Sequence, residues 1–185
     1  MNPTLKLSML AMLISCSANS TKGNKNDESH QIDLCSLSKQ TSDSISNVLL
    51  KDSKTFVGSI KGNKKNEECV FDVIDKLVQP ETLNEKSLTA LEKLNDQSDG
   101  FLSEYLMGVT SDIFKENFTH FFHYLYKNQK SSLVNRLVNG LSMDLRVRKG
   151  SKEDLMSKYL PKVDDRDQKN FLIQIFNKID PSKFD

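Results

Sequence analysis

The stretch EECVFDVIDKLVQP, residues 67–80, has the apolar spacing of an amphipathic helix. Its apolar side chains recur at intervals of three and four residues, which places them on one helical face. They are Val70, Phe71, Ile74, Leu77 and Val78. Glu67 and Glu68 lie near the positive end of the predicted helix, and Pro80 stops it. The stretch therefore predicts a helix that packs its apolar stripe against a core.

Helical spacing continues on the N-terminal side of this stretch. Asp33 is predicted to cap a first helix that carries the apolar residues of 34–49. A shorter apolar stretch at 56–60 follows, and residues 61–66 are predicted to form a polar loop. The polar segment before Asp33 has no apolar periodicity, which is typical of a flexible tether.

Helical patterns also recur on the C-terminal side, without a convincing strand, as far as Ile179. Ser151 and Asp154 have the spacing of a capping box. The acidic run at 164–167 is interpreted as helix caps, because it lacks the central glycine and alternating oxygen ligands of a calcium loop. The predicted fold class is all-α, an irregular bundle of eight or nine short antiparallel helices with one disulfide. Stacked helical hairpins are the alternative, although no repeat of fixed period supports them.

An apolar run, LSMLAMLI at 7–14, ends just before Cys16. A bilayer-spanning helix needs about 20 apolar residues, so this run is too short to remain as an anchor. It closes with Leu13-Ile14-Ser15-Cys16, which resembles the lipobox of bacterial lipoproteins. In that family the cysteine thiol is joined to a diacylglyceryl group, the preceding peptide is removed and the new amino terminus is usually acylated. A signal peptide cleaved elsewhere, with an incidental Cys16, is the alternative.

This resemblance implies three segments and a location. Residues 1–15 would be a lipoprotein signal peptide, 16–32 a lipidated flexible tether and 33–185 a single helical domain. In enterobacterial lipoproteins an aspartate after the cysteine signals retention in the inner membrane, so Ser17 implies the outer membrane. The predicted location is the cell envelope, with acylated Cys16 in the lipid bilayer and the domain facing the periplasm.

Two cysteines remain once Cys16 is assigned to lipid. An even pair in an exported protein is typical of a disulfide, so we predict a bond between Cys35 and Cys69. Two free thiols are the alternative if the protein is cytoplasmic. The bond would pin the beginnings of two helices together.

The charge balance excludes one class of partner. The chain has 26 Lys+Arg and 25 Asp+Glu, and removing residues 1–15 takes away Lys6 and leaves a formally neutral remainder. Nucleic-acid binding proteins present a strongly basic face, so nucleic acid is not predicted as a partner. Tryptophan is absent, and a partner surface therefore has to rely on phenylalanine, tyrosine and leucine.

One segment has the residue types of a zinc site. The candidate ligands are Asp112, Glu116, His120 and His123, which stack on one face of a continuous helix. However, His120 and His123 lie opposite the aromatic stripe of their segment and are predicted to point to solvent. Lys127 on the same face would repel a cation, and Asn117 can cap a new helix and break the register. We therefore predict that this face is solvated and binds no metal, and we predict no cofactor. Glu116, His120 and His123 are the candidate ligands in the alternative that a metal binds here.

Two further groups are candidates for binding a protein. Phe118, Phe121 and Phe122 are predicted to form a core-facing stripe. Tyr124 and Tyr126 flank it and are candidates for an exposed rim, the alternative being that they are only the boundary of the core. Arg146 and Arg148 form the densest basic cluster, which suits an acidic partner or a phosphate. The alternative is that these cations only stabilise a helix end.

Three functions remain after these observations. The first is a non-enzymatic protein-binding module in the cell envelope that acts by occlusion or scaffolding. The second is an immunity lipoprotein that neutralises an envelope-acting toxin, by class-level analogy. The third is an envelope hydrolase or metal-dependent enzyme that uses the His120 and His123 face. A strongly charged exposed patch would favour the second function, because toxin inhibition often uses charge complementarity, and an apolar groove would favour the first.

Overall fold

Helices make up the regular secondary structure of the described part of this protein. The computed structural model describes residues 31–184, which form nine α-helices, two 3-10 helices and no strand. The α-helices are α1 (Leu34–Leu37), α2 (Ser42–Ile60), α3 (Lys64–Leu77), α4 (Glu85–Gln97), α5 (Gly100–Glu116), α6 (Phe118–Lys127), α7 (Ser132–Arg148), α8 (Lys152–Tyr159) and α9 (Arg166–Asn177). The 3-10 helices are Leu160–Lys162 and Pro181–Phe184. The predicted all-α class is confirmed.

The predicted caps lie where the helices begin. Asp33 accepts a hydrogen bond from the backbone N–H three residues on. Ser151 and Asp154 form the reciprocal pair of a capping box, and Asp165 caps α9 in the same way as Asp33 caps α1. Each cap satisfies an N–H that the first turn of a helix leaves without a partner.

The predicted first helix was wrong in its extent. It is split into α1 and α2, because Thr41 accepts a hydrogen bond from the Ser44 backbone N–H and starts a new helix. Helix α2 then continues through the stretch at 56–60 that was predicted as separate. It bends at Asp52, whose carboxylate accepts from the Thr55 backbone N–H at 2.9 Å and so acts as a cap inside the helix.

Helix α3 begins earlier than predicted, inside the expected polar loop. The Asn63 side chain accepts a hydrogen bond from the Asn66 backbone N–H at 3.2 Å, which starts the helix at Lys64. The turn before it contains Gly62 at φ +73°, a left-handed backbone that glycine adopts without steric cost. Lysine and asparagine therefore occupy the first helical turn here, although their composition is typical of a loop.

The most extensive packing joins alternate helices, α2 with α4 and α5 with α7. Helices α5 and α7 run parallel, as two hydrogen bonds between them show. Arg136 donates to Ser103 and Asp144 accepts from Ser111, and in each pair the two residues are 33 positions apart in the sequence. Helices α2 and α4 are parallel as well. Their N-terminal ends are joined by an ion pair and a second one lies just beyond their C-terminal ends. These pairs are Lys86 with Asp43 at 2.6 Å and Lys61 with Asp99 at 2.9 Å.

Helices α2 and α3 form an antiparallel hairpin. Ser42 Oγ at the start of α2 donates to the carbonyl of Leu77 at the end of α3 at 2.9 Å, and Asn66 donates to the carbonyl of Ser59 at 2.8 Å. One contiguous apolar cluster links these helices to the C-terminal ones. The C-terminal part of the cluster is aromatic, and in it the rings of Phe114 and Tyr159 each contact those of Phe118 and Phe176.

Tyr159→Phe is expected to leave the fold as stable as before or to stabilise it by about 1 kcal/mol. Tyr159 is fully buried, and its hydroxyl has no hydrogen-bond partner among residues 31–184. The substitution removes a buried hydroxyl that lacks a partner and keeps the ring contacts. Urea unfolding of the two forms measures the difference.

Tyr124→Phe is the matched control for this prediction. Tyr124 is also buried, but its hydroxyl donates to Glu92 Oε2 at 2.6 Å. Its removal is expected to destabilise the fold by about 1 kcal/mol. Equal destabilisation by both substitutions would show that the Tyr159 hydroxyl has a partner in solution.

The predicted disulfide is confirmed. Cys35 in α1 is bonded to Cys69 in α3, with their Cα atoms 5.0 Å apart. Asn66 reinforces the junction, since its side chain donates to the Ile32 carbonyl at 2.9 Å and accepts from the Leu34 backbone N–H at 3.1 Å. The entry of the chain into the domain is therefore fixed to the start of α3 by one covalent bond and several hydrogen bonds.

The predicted signal peptide, Cys16 and nearly all of the predicted tether lie outside the described residues. Within residues 31–184, none of the helices combines the length and the apolar character needed to cross a bilayer.

Candidate functional site

A groove of about 580 Å³ lies between the C-terminal half of α3 and helix α5. We call it the acidic groove. The α3 side includes Asp75, Val78 and Pro80, and the α5 side includes Tyr105, Val109 and Ile113. Four more residues of α5 line the groove.

These four residues recur every fourth position and form a single line along α5, because successive turns of a helix stack i and i+4 side chains. The line consists of Glu104, Gly108, Asp112 and Glu116, and we call it the α5 row. Each step of four residues advances about 6 Å along the helix axis. The three carboxylates are exposed at the groove, with Gly108 between the first two.

A hydrogen bond joins the two walls of the acidic groove. The Tyr105 hydroxyl of α5 donates to the Asp75 carboxylate of α3. Burial raises the pKa of Tyr105, and the hydrogen bond to Asp75 and the charges of Asp75 and Asp72 raise it further. The phenol therefore keeps its proton and remains a donor at any physiological pH, so the hydrogen bond between the two walls persists.

The carboxylates of the acidic groove are only partly neutralised. Lys115 Nζ lies 3.4 Å from Asp112 Oδ1, but it also pairs with Asp144 on α7. Within residues 31–184, Glu104 and Glu116 form no ion pair. The groove therefore presents a negative surface on a chain that is close to neutral overall.

An exposed aromatic cluster lies beside the acidic groove. Phe71 of α3 packs against Phe101 and Tyr105 of α5, with ring centroids 6.0 and 4.4 Å away. Phe101 remains 46 % exposed, which is unusual for so large an apolar side chain. We call these three residues the aromatic shelf.

The predicted metal candidates do not form a ligand set. Helix α5 ends at Glu116 and Asn117 separates it from α6, so Glu116 lies on a different helix from His120 and His123. Both histidines are exposed, as predicted. Among the described residues no group of three His, Cys, Asp or Glu side chains is placed to hold a metal ion.

The predicted tyrosine rim was wrong for Tyr124. Its ring is buried, because its hydroxyl reaches across to Glu92 on α4 and can be satisfied there. Tyr126 is half-buried and packs edge-on against Phe171 of α9 at 5.9 Å. Neither side chain lines the acidic groove. By contrast, the predicted core stripe of Phe118, Phe121 and Phe122 is confirmed as buried.

Arg146 and Arg148 are exposed in the last turn of α7. The helix ends there because Lys149 adopts a left-handed backbone at φ 54°. Cations at this position interact favourably with the negative end of the helix, which agrees with the structural alternative stated for them. They do not line the acidic groove.

Sequence reasoning grouped Asp112 and Glu116 with two histidines and missed Glu104 and the α5 row as a whole. The signal was present, because three acidic residues at intervals of four or eight fall on one helical face. It was not interpretable alone, since the facing wall is supplied by α3, some 30 residues earlier in the chain. Comparison of the chain with protein families, with curated proteins and with solved structures gave no match.

Proposed function

We propose that this chain is a lipid-anchored, non-enzymatic protein-binding module of the cell envelope, and that its binding face is the acidic groove. The α5 row carries the proposal. Its carboxylates line an open groove, and two of them lack a counter-charge among residues 31–184. Carboxylates arranged in this way favour a cationic segment and repel an acidic one.

The aromatic shelf supports a protein as the partner. Interfaces are enriched in aromatic side chains, because a large ring buries much apolar area with few rotatable bonds. Phe101 is half exposed and Tyr105 also belongs to the groove wall, so one partner segment can contact both features. The module would act by binding a basic segment of its partner in the acidic groove and holding the partner near the membrane.

The anchor in this proposal is acylated Cys16, followed by the tether over 16–32. The chain enters the domain at the start of α3, where Asn66 binds the Ile32 carbonyl. The acidic groove lies at the other end of α3, about 15 Å further along the helix. A groove at that distance from the entry point is accessible to a partner while the lipid remains in the outer membrane.

An immunity lipoprotein that neutralises an envelope-acting toxin is the second candidate. The specific observation in its favour is the carboxylates of the groove, since toxin inhibition often depends on charge complementarity, whereas the apolar side chains beside them, Val78, Val109 and Ile113, favour the first function. The acidic groove would then bind a basic surface of the toxin. Loss of protection against that toxin when the α5 row is reversed in charge would distinguish this candidate from a general scaffold.

Glu104→Lys with Glu116→Lys is expected to abolish capture of the partner in cross-linked cells. The reason is that two carboxylates of the α5 row become cations and repel a basic segment. We expect an affinity for the purified partner at least about tenfold weaker, and weaker binding of the unchanged protein as salt increases. Mass spectrometry of cross-linked material identifies the partner, and titration measures the affinity.

Asp96→Lys with Asp164→Lys is the matched control, because it changes the net charge equally at exposed positions away from the groove. The control is expected to retain the partner. Equal loss in both double variants would contradict the acidic groove as the binding face. Unchanged capture with Cys16→Ala would contradict the proposed role of the lipid anchor.

A further inference from the structure

Gly108 lies in the middle of α5, on the wall of the acidic groove. Glycine destabilises a helix interior relative to alanine, because it loses more backbone freedom on folding. A Cβ built at this position has no neighbour within 4 Å among the described residues, apart from the adjacent backbone of α5 itself. The described part of the chain therefore gives no packing reason for glycine at position 108.

Two other glycines have a structural reason that Gly108 lacks, although Gly58 of α2 lacks one as well, so the place of Gly108 in the groove is what distinguishes it. Gly140 of α7 lies against the backbone of Met107, where a Cβ would come within 2.2 Å of the carbonyl oxygen. Gly100 has φ +48°, a backbone that other residues rarely adopt. Gly108 has neither feature, and it occupies the position between Glu104 and Asp112 in the α5 row.

We propose that Gly108 is the contact point for the aliphatic stem of a lysine or arginine of the partner, whose cation lies among the carboxylates of the α5 row. The inference rests on the proposed function and names the chemistry that the acidic groove binds. The missing Cβ lets the stem approach the helix backbone closely. Long basic side chains pack their methylene groups on apolar surface and keep the charged end in a polar environment.

The spacing of the α5 row fits one cation of this kind. Glu104 and Asp112 each lie one helical turn from Gly108, so a cation above Gly108 is about 6 Å along the axis from either position. Val109 and Ile113 on α5 and Val78 on α3 supply apolar surface beside the row. Lys115 is shared with Asp144, which leaves Asp112 able to accept a second cation.

The test is the affinity of the full-length protein, in a nonionic detergent, for a fluorescent hexalysine peptide followed by anisotropy. Gly108→Ala is expected to weaken binding about tenfold or more, because the added methyl group occupies the approach of the stem. Gly58→Ala is the matched control. Gly58 is also a glycine within a helix, with no neighbour within 4 Å of a built Cβ, but it lies on α2 away from the groove.

Both alanine variants are expected to raise the melting temperature by about 2–4 °C, since each removes a glycine from a helix without a clash. Weaker binding by Gly108→Ala alone therefore cannot be attributed to unfolding. Equal binding by the two variants, or a lower melting temperature for Gly108→Ala, would overturn the inference and leave the acidic groove intact as the binding face.

Two other outcomes bear on the proposed function itself. No binding of hexalysine to the unchanged protein, or equal binding by Glu104→Lys with Glu116→Lys, would overturn both the groove proposal and the role of Gly108. Self-association of the protein that Gly108→Ala abolishes would show that the occupant is a second copy, and it would overturn the inference of a basic partner segment.

Discussion

Gly140→Ala is expected to lower the free energy of unfolding by about 3 kcal/mol, because it forces apart the two parallel helices α5 and α7. A Cβ at position 140 would come within 2.2 Å of the Met107 carbonyl oxygen and 3.2 Å of Ser111 Cβ. The nearest atom belongs to a helix backbone, so no side-chain rotation relieves the clash. Urea unfolding monitored by circular dichroism measures the loss.

Gly108→Ala provides the contrast within the same pair of helices. It exchanges the same residue types in a helix interior but meets no neighbour, so it is expected to stabilise by about 0.5–1 kcal/mol. Opposite signs for the two substitutions would establish that α5 and α7 approach each other at Gly140. If Gly140→Ala proved neutral, the close approach of the two helices would be wrong.

Replacing both cysteines of the disulfide, as Cys35→Ala with Cys69→Ala, is expected to cost about 3.5–4 kcal/mol of unfolding free energy. The bond joins residues 34 positions apart and so restricts the unfolded chain. In the chain-entropy account, its removal stabilises the unfolded state rather than breaking contacts in the folded one. Guanidinium unfolding of the oxidised protein and of the double variant measures the difference.

The folded state should respond to this change only at its N-terminal end. Amide hydrogen exchange is expected to accelerate at Ile32 and Leu34, whose N–H groups donate to Ser59 Oγ and Asn66 Oδ1. The amides of α5 and α7, away from the bond, serve as the internal reference. Two titratable thiols at Cys35 and Cys69 in the untreated protein would contradict the disulfide, and an unchanged unfolding free energy would contradict its stabilising role.

Several features of the fold were predictable from the sequence because they depend on residues close together in the chain. Asp33, Ser151 and Asp165 start helices by accepting hydrogen bonds from N–H groups three residues on. The aromatic stripe at 118–122 is buried because helical spacing placed it on one face. The first helix was predicted to be too long. The Thr41 hydroxyl accepts a hydrogen bond from a backbone N–H and so starts a new helix, and composition alone does not show that this threonine acts as a cap.

The candidate site was less predictable. His120 and His123 were singled out because their residue types suggest a metal site. However, they lie on α6, whereas Glu116 is the last residue of α5. Tyr124 was predicted as exposed because its position on the helix flanks the apolar stripe, but its side chain is buried and Glu92 of α4 accepts a hydrogen bond from its hydroxyl. In both cases the error concerns a neighbouring helix, which no local pattern describes.

The sequence by itself determined where helices form, which faces are apolar and that two cysteines are available to bond, because caps, periodicity and cysteine number are local or countable properties. The tertiary structure alone decided that alternate helices pack in parallel, that Gly140 brings two backbones together and that Gly108 faces open space. It also created the acidic groove, by placing Asp75 opposite Tyr105 across 30 residues of chain. The physical reason is that burial and contact depend on the sum of many weak, non-directional apolar interactions between distant segments, which the spacing within any one segment does not encode.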